Sequence, residues 1–478
     1  MTQEVIVNNN KLKLVFQTLN TNYGMIGIII AMEFAMVLFL GSFSEPMVKI
    51  FGKPLLPIDL DNYEISRSGR IIMLYHAFAV PFVGAVALLF LEMYDIRYPF
   101  NLQAKYLVFS GSLFSGIGGI VFGYLIPHMF IHTVFLFGLS LSFFGGFMLV
   151  LGLFPSKSYQ TQDLSEENTI FGYNFEYMNL FLTMLYFIIS AAIGGLASSF
   201  LGDEPTFLAE DIVRNETHSL LERMVISHLH VMVALLITGI FLMMVTYSEI
   251  KGIGYRIIMI LAIPGSLLIS IGAWLVIVKF EPAHKVINVG AFMLIFGGFI
   301  LSYHGFKKIL AESNEDTVGI KNKSRVLLKD PVKFTLYFEL IWGNLVTTIP
   351  GIYVGINLDT FRDVNAIGEP YRQIERDFNV AHWHILSALA GLTVCLLLLE
   401  HYKIKGKFRD LTGWFFLIGS IVGFGFGALY ITRTPETSLT DFYYIMMNIG
   451  VMTVFLGVGA FCVAYFKHFA EKIKDHNS

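Results

Sequence analysis

Eight of the thirteen histidines in this 478-residue chain lie just ahead of, or early in, a strongly apolar stretch. They are His76 in "GRIIMLYHAF", His128 and His132 in "LIPHMFIHTV", His228 and His230 in "VISHLHVMVALL", His284 in "FEPAHKVINVG", and His382 and His384 in "NVAHWHILSALAGLT". A neutral imidazole offers one nitrogen lone pair to a metal and one N–H to an acceptor, and in hydrocarbon it is unfavourable unless both are used. Eight such groups on five separate segments point to a layer that binds cofactors rather than to eight unrelated polar contacts. The two-residue spacing carries a geometric statement. An α-helix turns about 100° per residue, so positions two apart face about 200° away from each other. His382 and His384 therefore cannot serve one ligand, but each can hold one of two haem irons flanking the same helix. His128 and His132, four apart, share one helical face.

The elements that must position these side chains are membrane helices. The chain is 55% hydrophobic and 14% charged, with a mean hydropathy of +0.65, far from the soluble globular range. A net charge of -3 gives no basic field for nucleic acid. Apolar runs long enough for a hydrocarbon core of about 30 Å are predicted at 24–41, 71–93, 106–126, 129–154, 176–200, 224–247, 257–278, 286–305, 334–356, 380–399, 411–431 and 443–466. The predicted fold is thus an all-α integral membrane protein of twelve transmembrane helices, a single domain over 1–478. With the N-terminus inside, 21 of the 33 Lys and Arg fall on the inner side and 12 on the outer. That bias predicts cytoplasmic termini at both ends. All eight histidines then lie near the outer face. The polar N-terminus "MTQEVIVNNNKLKL" lacks a small-residue cleavage site and is not expected to be a removed signal peptide. Glycine-rich patches, "SGSLFSGIGGIVFG" and "GFGFGALY", are expected where helix backbones approach closely. The two cysteines, Cys395 and Cys462, have no CxxC or CxxCH around them, which excludes a disulfide framework and covalent c-type haem.

The order and spacing of these histidine segments resembles the catalytic subunit of the haem-copper oxidase superfamily, nearest in pattern to the nitric oxide reductase large subunit. The resemblance implies a haem-copper oxidase subunit I-like bundle with two b-type haems. "DFNVAHWH" is similar to the family's tenth-span motif, which implies His382 as the ligand of a high-spin haem and His384 as a ligand of a low-spin haem. His76, early in span two, matches the second low-spin ligand. Bis-histidine ligation leaves no open iron position, so that haem relays electrons only. Arg433, in "ITRTPETSLTDFYY", matches the loop whose arginines pair with haem propionates. For the family's second metal, copper or non-haem iron, the resemblance implies one histidine from span six and one from the loop after span seven. His284 follows His228 by 56 positions and His230 by 54, a separation like the family's. His228 is the expected ligand of the span-six pair and His230 the alternative.

The sequence departs from the family at the second metal. Lys285 stands where the family has a second adjacent histidine, and an ammonium is a poor ligand. Met232, one turn after His228, stands where oxygen reductases carry a tyrosine and nitric oxide reductases a glutamate. Glu281 could supply a carboxylate in its place, or Met232 a soft sulfur. The intramembrane carboxylates Glu33 and Glu339 are candidates for proton relay. The expected function is that of an oxidoreductase in electron transport, reducing NO to N2O at a high-spin haem and a non-haem metal. The missing tyrosine disfavours the alternative, a divergent oxygen reductase. A third reading is a non-catalytic b-type haem electron-transfer subunit without the second metal, in which His128 and His132 could edge a further cofactor. Expected partners are membrane lipid, a gaseous substrate (NO or O2), and an electron donor: a cytochrome c subunit, soluble cytochrome c or a quinol. The expected location is a prokaryotic inner membrane.

Overall fold

The computed structural model describes residues 13–41, 71–126, 128–155, 174–201, 219–313, 319–357, 369–431 and 439–475. Among these every regular element is a helix. In chain order they are α1 (Asn22–Gly41), α2 (Ile71–Met93), α3 (Phe100–Ile120), α4 (Met129–Leu153), α5 (Phe175–Leu201), α6 (Leu220–Ser248), α7 (Gly252–Ile277), α8 (Ala283–Glu312), α9 (Ile320–Leu327), α10 (Pro331–Gly343), α11 (Ile349–Ile356), α12 (Glu369–His401), α13 (Lys407–Gly419), α14 (Gly425–Ile431) and α15 (Thr440–Asp475). Wider π-helical turns extend α3 at Val121–Leu125, join α10 to α11 at Asn344–Thr348, and join α13 to α14 at Ser420–Phe424.

Eleven helical segments among the described residues are long and apolar enough to cross a membrane. The chain is an all-α, multi-pass membrane protein. The remaining predicted span, 334–356, is helical throughout but in three pieces, and it is not among the eleven. Glu339, Asn344, Thr347 and Thr348 dilute its apolar character, and Pro350 lies just beyond its π turn. A proline has no N–H for the carbonyl four residues back and its ring crowds that carbonyl, so the hydrogen-bond ladder widens before it.

The described residues fall into two compact units. One takes those within Met1–Leu153, Gly195–Ile212 and Phe466–Ser478, the other those within Phe154–Gly194 and Val213–Tyr465. In the first unit, α3 and α4 touch backbone to backbone. A Cβ on Gly138 would fall on the Ser115 and Phe114 backbone, and one on Gly111 would meet Ser142 and the Gly138 carbonyl. Such small-residue contacts let helices gain dispersion energy where no water drives them together. Arg97 donates to the carbonyls of Gly152 (2.9 Å) and Leu151 (2.7 Å) at the end of α4, satisfying acceptors that have no partner inside the helix. The last turns of α15 pack on α1, with Lys472 over the Tyr23 ring at 4.7 Å.

In the second unit, α7 and α8 meet at Gly265, Gly272 and Gly290, and the π turn after α13 meets α15 at Gly423 and Gly450. Helix α6 opens with a capping box in which the Ser219 hydroxyl accepts from Glu222 N and the Glu222 carboxylate accepts from Ser219 N, which fixes the helix start. At the far end of α6, an ionic cluster ties four elements together. Arg409 reaches Asp330 (2.7 Å) and Glu400 (2.5 Å), and the Tyr247 hydroxyl donates to the other Glu400 oxygen (2.5 Å). This cluster lies at the opposite end of α6 and α12 from their paired histidines.

Candidate functional site: a histidine layer in the second unit

Helices α6, α8 and α12 carry His228 and His230, His284, and His382 and His384 respectively, each toward its helix N-terminal part. The segment α10–α11 runs the other way, so its polar π turn arrives at the same end. There His382 Nδ1 donates to the carbonyl of Thr347, at 3.0 Å. A carbonyl can only accept, so the proton of the neutral imidazole sits on Nδ1 and the lone pair on Nε2. This is how ligating histidines are commonly oriented and made more basic, through a hydrogen bond to the nitrogen that does not bind the metal. The ring lies against bare backbone: a Cβ built on Gly351 would stand 2.8 Å from Cε1 and 3.0 Å from Nδ1 of His382. Glycine at 351 thus keeps open the space that the imidazole fills. Carbonyl clamp, tautomer and glycine cradle fit a histidine that serves as axial ligand to a haem iron.

The two span-six histidines are held differently, as their 200° separation requires. His228 Nδ1 donates to the carbonyl of Ser190 on α5, at 2.8 Å, and the Ser190 hydroxyl donates back to the His228 carbonyl, at 3.3 Å. His230 Nδ1 donates to the carbonyl of Ile226 one turn earlier on its own helix, at 2.9 Å. The His230 ring stands edge-on to Trp383 of α12, with centroids 5.6 Å apart. Of the pair it is His230 that meets α12, between His382 and His384 in sequence, whereas His228 is turned to α5. Sequence spacing established that the two diverge and could not say which goes where. All three fixed rings present Nε2 as the lone-pair nitrogen in the neutral form.

The donors expected for a second metal are less well assembled. His284 is half-buried, but Glu281 and Lys285 on either side of it are exposed, and Met232 is half-buried. Among the described residues no three His, Cys, Asp or Glu side chains come together as a metal-holding group. The described residues therefore do not by themselves supply three such ligands to a second metal. His384 is exposed. His76 lies half-buried in the first unit, and Arg433 is outside the described residues.

In the first unit, His128 accepts from the backbone N–H of Phe130 through Nδ1, at 3.2 Å. Its ring nitrogen acts as a cap for α4, satisfying one of the donors left over at a helix start. His132 lies among rings, 5.1 Å from Phe122 and 6.5 Å from Phe135 between centroids.

Sequence reasoning had no signal for the clamps, since Thr347, Gly351, Ser190 and Gly194 matter only through packing across helices. It did single out Glu339. That carboxyl is 3% exposed, accepts from the Ser420 hydroxyl at 2.6 Å through one oxygen, and has no hydrogen-bond partner for the other. It lies on α10, eight residues before Thr347. No family model matches the chain, and no curated protein matches it in sequence.

Proposed function

We propose that the chain is a haem-binding oxidoreductase of a respiratory membrane, similar to the nitric oxide reductase large subunit, with His382 as axial ligand of the haem at which a small gas is reduced. The observation that carries this reading is the clamp on His382: its Nδ1 proton is committed to Thr347, and Gly351 leaves its ring undisplaced. A haem there would supply a redox iron with one open coordination position. The chain's own part is to fix that imidazole's tautomer and rotation and to shield it between α11 and α12. Met232, in the position of the oxygen reductases' tyrosine, favours NO over O2 as the gas. Electrons would come from a cytochrome c subunit, soluble cytochrome c or a quinol. The chain would sit in a prokaryotic inner membrane, and cytoplasmic placement of both termini agrees with the 21 to 12 distribution of basic residues.

A second reading is favoured by a specific observation: Glu281, the carboxylate expected beside His284, is exposed. A chain that binds haem but no further metal would carry electrons rather than reduce a gas. The test is purification in detergent, haem quantitation, and anaerobic NO consumption with a reduced donor, alongside His382→Ala. The proposal expects bound b-type haem, NO consumption above that of free haem, and loss of both a high-spin signal and activity in the variant. Haem without NO or O2 reduction leaves the electron-carrier reading. Protein that binds no haem overturns both.

A further inference from the structure

The second unit contains the His382 arrangement twice. The segments "SHLHVMVAL" (227–235) and "AHWHILSAL" (381–389) share both histidines and the closing Ala-Leu at the same spacings. They also share the register in which they pack. Val231 and Leu235 are 0% and 1% exposed, and their counterparts Ile385 and Leu389 are 8% and 4% exposed. The two histidine pairs therefore stand in the same relation to a buried helix face, with His228 the counterpart of His382 and His230 the counterpart of His384.

The surroundings repeat as well. His382 Nδ1 donates to the carbonyl of Thr347, and its ring lies on the bare Cα of Gly351, four residues further on. His228 Nδ1 donates to the carbonyl of Ser190, and its ring lies on the bare Cα of Gly194, again four residues further on. A Cβ on Gly194 would stand 2.5 Å from His228 Nδ1 and 2.6 Å from Cε1. The spacing of four has a physical reason. In a helix the carbonyl of one residue points toward the residue four places ahead, so a ring that bonds that carbonyl can lie flat against the helix backbone where the later residue has no side chain. Such a clamp leaves the imidazole one tautomer, with the lone pair on Nε2. Ser190 holds His228 more fully than Thr347 holds His382, since its hydroxyl also donates to the His228 carbonyl.

We propose that His228 is the axial ligand of a further haem, in a site built on α5 and α6 like that of His382 on α11 and α12. The inference rests on the reading that His382 holds a haem, and it takes His228 out of the second-metal set. The side of α6 that meets Trp383 belongs to His230, and His228, about 200° around the helix, is clamped to α5. What this site takes is an iron porphyrin, which needs one oriented neutral imidazole, rather than a bare ion that must collect three or more donors.

The experiment counts haem per polypeptide by pyridine haemochrome, and non-haem iron and copper by elemental analysis, in purified wild type, His228→Ala and His382→Ala. The expected result is that each variant loses one haem relative to wild type while the spectrum of the other site persists. If His382→Ala loses a haem and His228→Ala retains all of them, the inference fails and the reading of His382 stands. The same holds if His228→Ala loses non-haem metal and no haem. If neither variant loses haem, both fail. Should His228→Ala not accumulate, Gly194→Ala keeps the histidine but drives a Cβ into its ring. Its haem is expected to be stripped by apomyoglobin at least several-fold faster than from Gly195→Ala, whose added Cβ meets nothing within 4 Å. Equal stripping rates in the two alanine variants would overturn the inference.

Discussion

Gly351→Ala isolates the cradle beneath His382 without touching the histidine. The added Cβ would stand 2.8 Å from His382 Cε1, whereas ordinary contact begins at 3.4 Å, so ring and backbone must separate by about 0.6 Å. The Nδ1 to Thr347 O bond is 3.0 Å long. Movement of that size directed away from α11 stretches it to about 3.6 Å, beyond a hydrogen bond. The orienting bond is then lost and a buried donor is left unsatisfied, at about 1–3 kcal/mol. Removal of partners that orient a ligating histidine commonly weakens metal affinity about 10- to 100-fold, and that range is expected for haem at His382. The assay is transfer of haem to apomyoglobin, followed optically, with protein folding checked by size-exclusion chromatography. Gly391→Ala on α12, whose Cβ meets nothing within 4 Å, is expected to behave as wild type. A Gly351→Ala protein that folds and keeps its haem within twofold of the control would refute the idea that the glycine is there for the imidazole.

Glu339→Gln keeps the bond to Ser420 and removes the ionisable group. If Glu339 passes protons toward the Thr347 end of α10, haem content is expected to stay constant while NO consumption falls about 100-fold or more; unchanged turnover would assign Glu339 a packing role only. Arg409→Ala strands Glu400, whose side chain is 7% exposed, beside a 31%-exposed Asp330. Stability in detergent is expected to fall by about 3 kcal/mol, seen as a lower thermal midpoint, while Asp410→Ala, at a 53%-exposed partner, shifts it little. The Lys308 ammonium bonded to Glu249 at 3.0 Å holds that carboxyl below the usual carboxylate range. A carboxyl with a lowered folded value contributes stability above its unfolded value near 4.3, and that contribution is lost as pH falls through the folded value. Glu249→Gln is expected to flatten the thermal midpoint against pH below about 4.5 and to leave it unchanged near pH 7 relative to Lys308→Met. A Glu249→Gln protein with the wild-type acid slope would show that other carboxylates carry it.

The helices were legible because hydropathy alone specifies a membrane segment, and one end of the second unit was legible because histidine in hydrocarbon demands a partner. The segment 334–356 shows where that reading thins. Its polar residues made it the least regular of the predicted spans, yet the segment reaches the site: Thr347 offers its backbone carbonyl to His382, and Glu339 is buried eight residues earlier. Hydropathy treats those residues as noise, and only the fold turns them into contacts. The choice between His228 and His230 was illegible for another reason. Spacing fixes the angle between two side chains on a helix but not the rotation of the helix about its axis. That rotation is set by Val231 and Leu235 packing against Ala273, partners that lie 42 and 38 positions away.

The glycine clamps lie deeper still. Ser190 precedes His228 by 38 residues and Thr347 precedes His382 by 35, and neither a serine nor a threonine carbonyl has any side-chain signature, since every residue but for its conformation offers the same oxygen. What the sequence does carry is a glycine four places after each carbonyl, Gly194 and Gly351, among 43 glycines. Taken singly, such a glycine is indistinguishable from those that only let helices touch, like Gly138 or Gly450. Striking an imidazole is not specific by itself either, since a Cβ on Gly254 would meet the ring of His304. Gly194 and Gly351 are each paired with a carbonyl at the same offset and each lies under the first histidine of the same short motif, and together they make a stronger claim on a cofactor than any one of the eight histidines does alone.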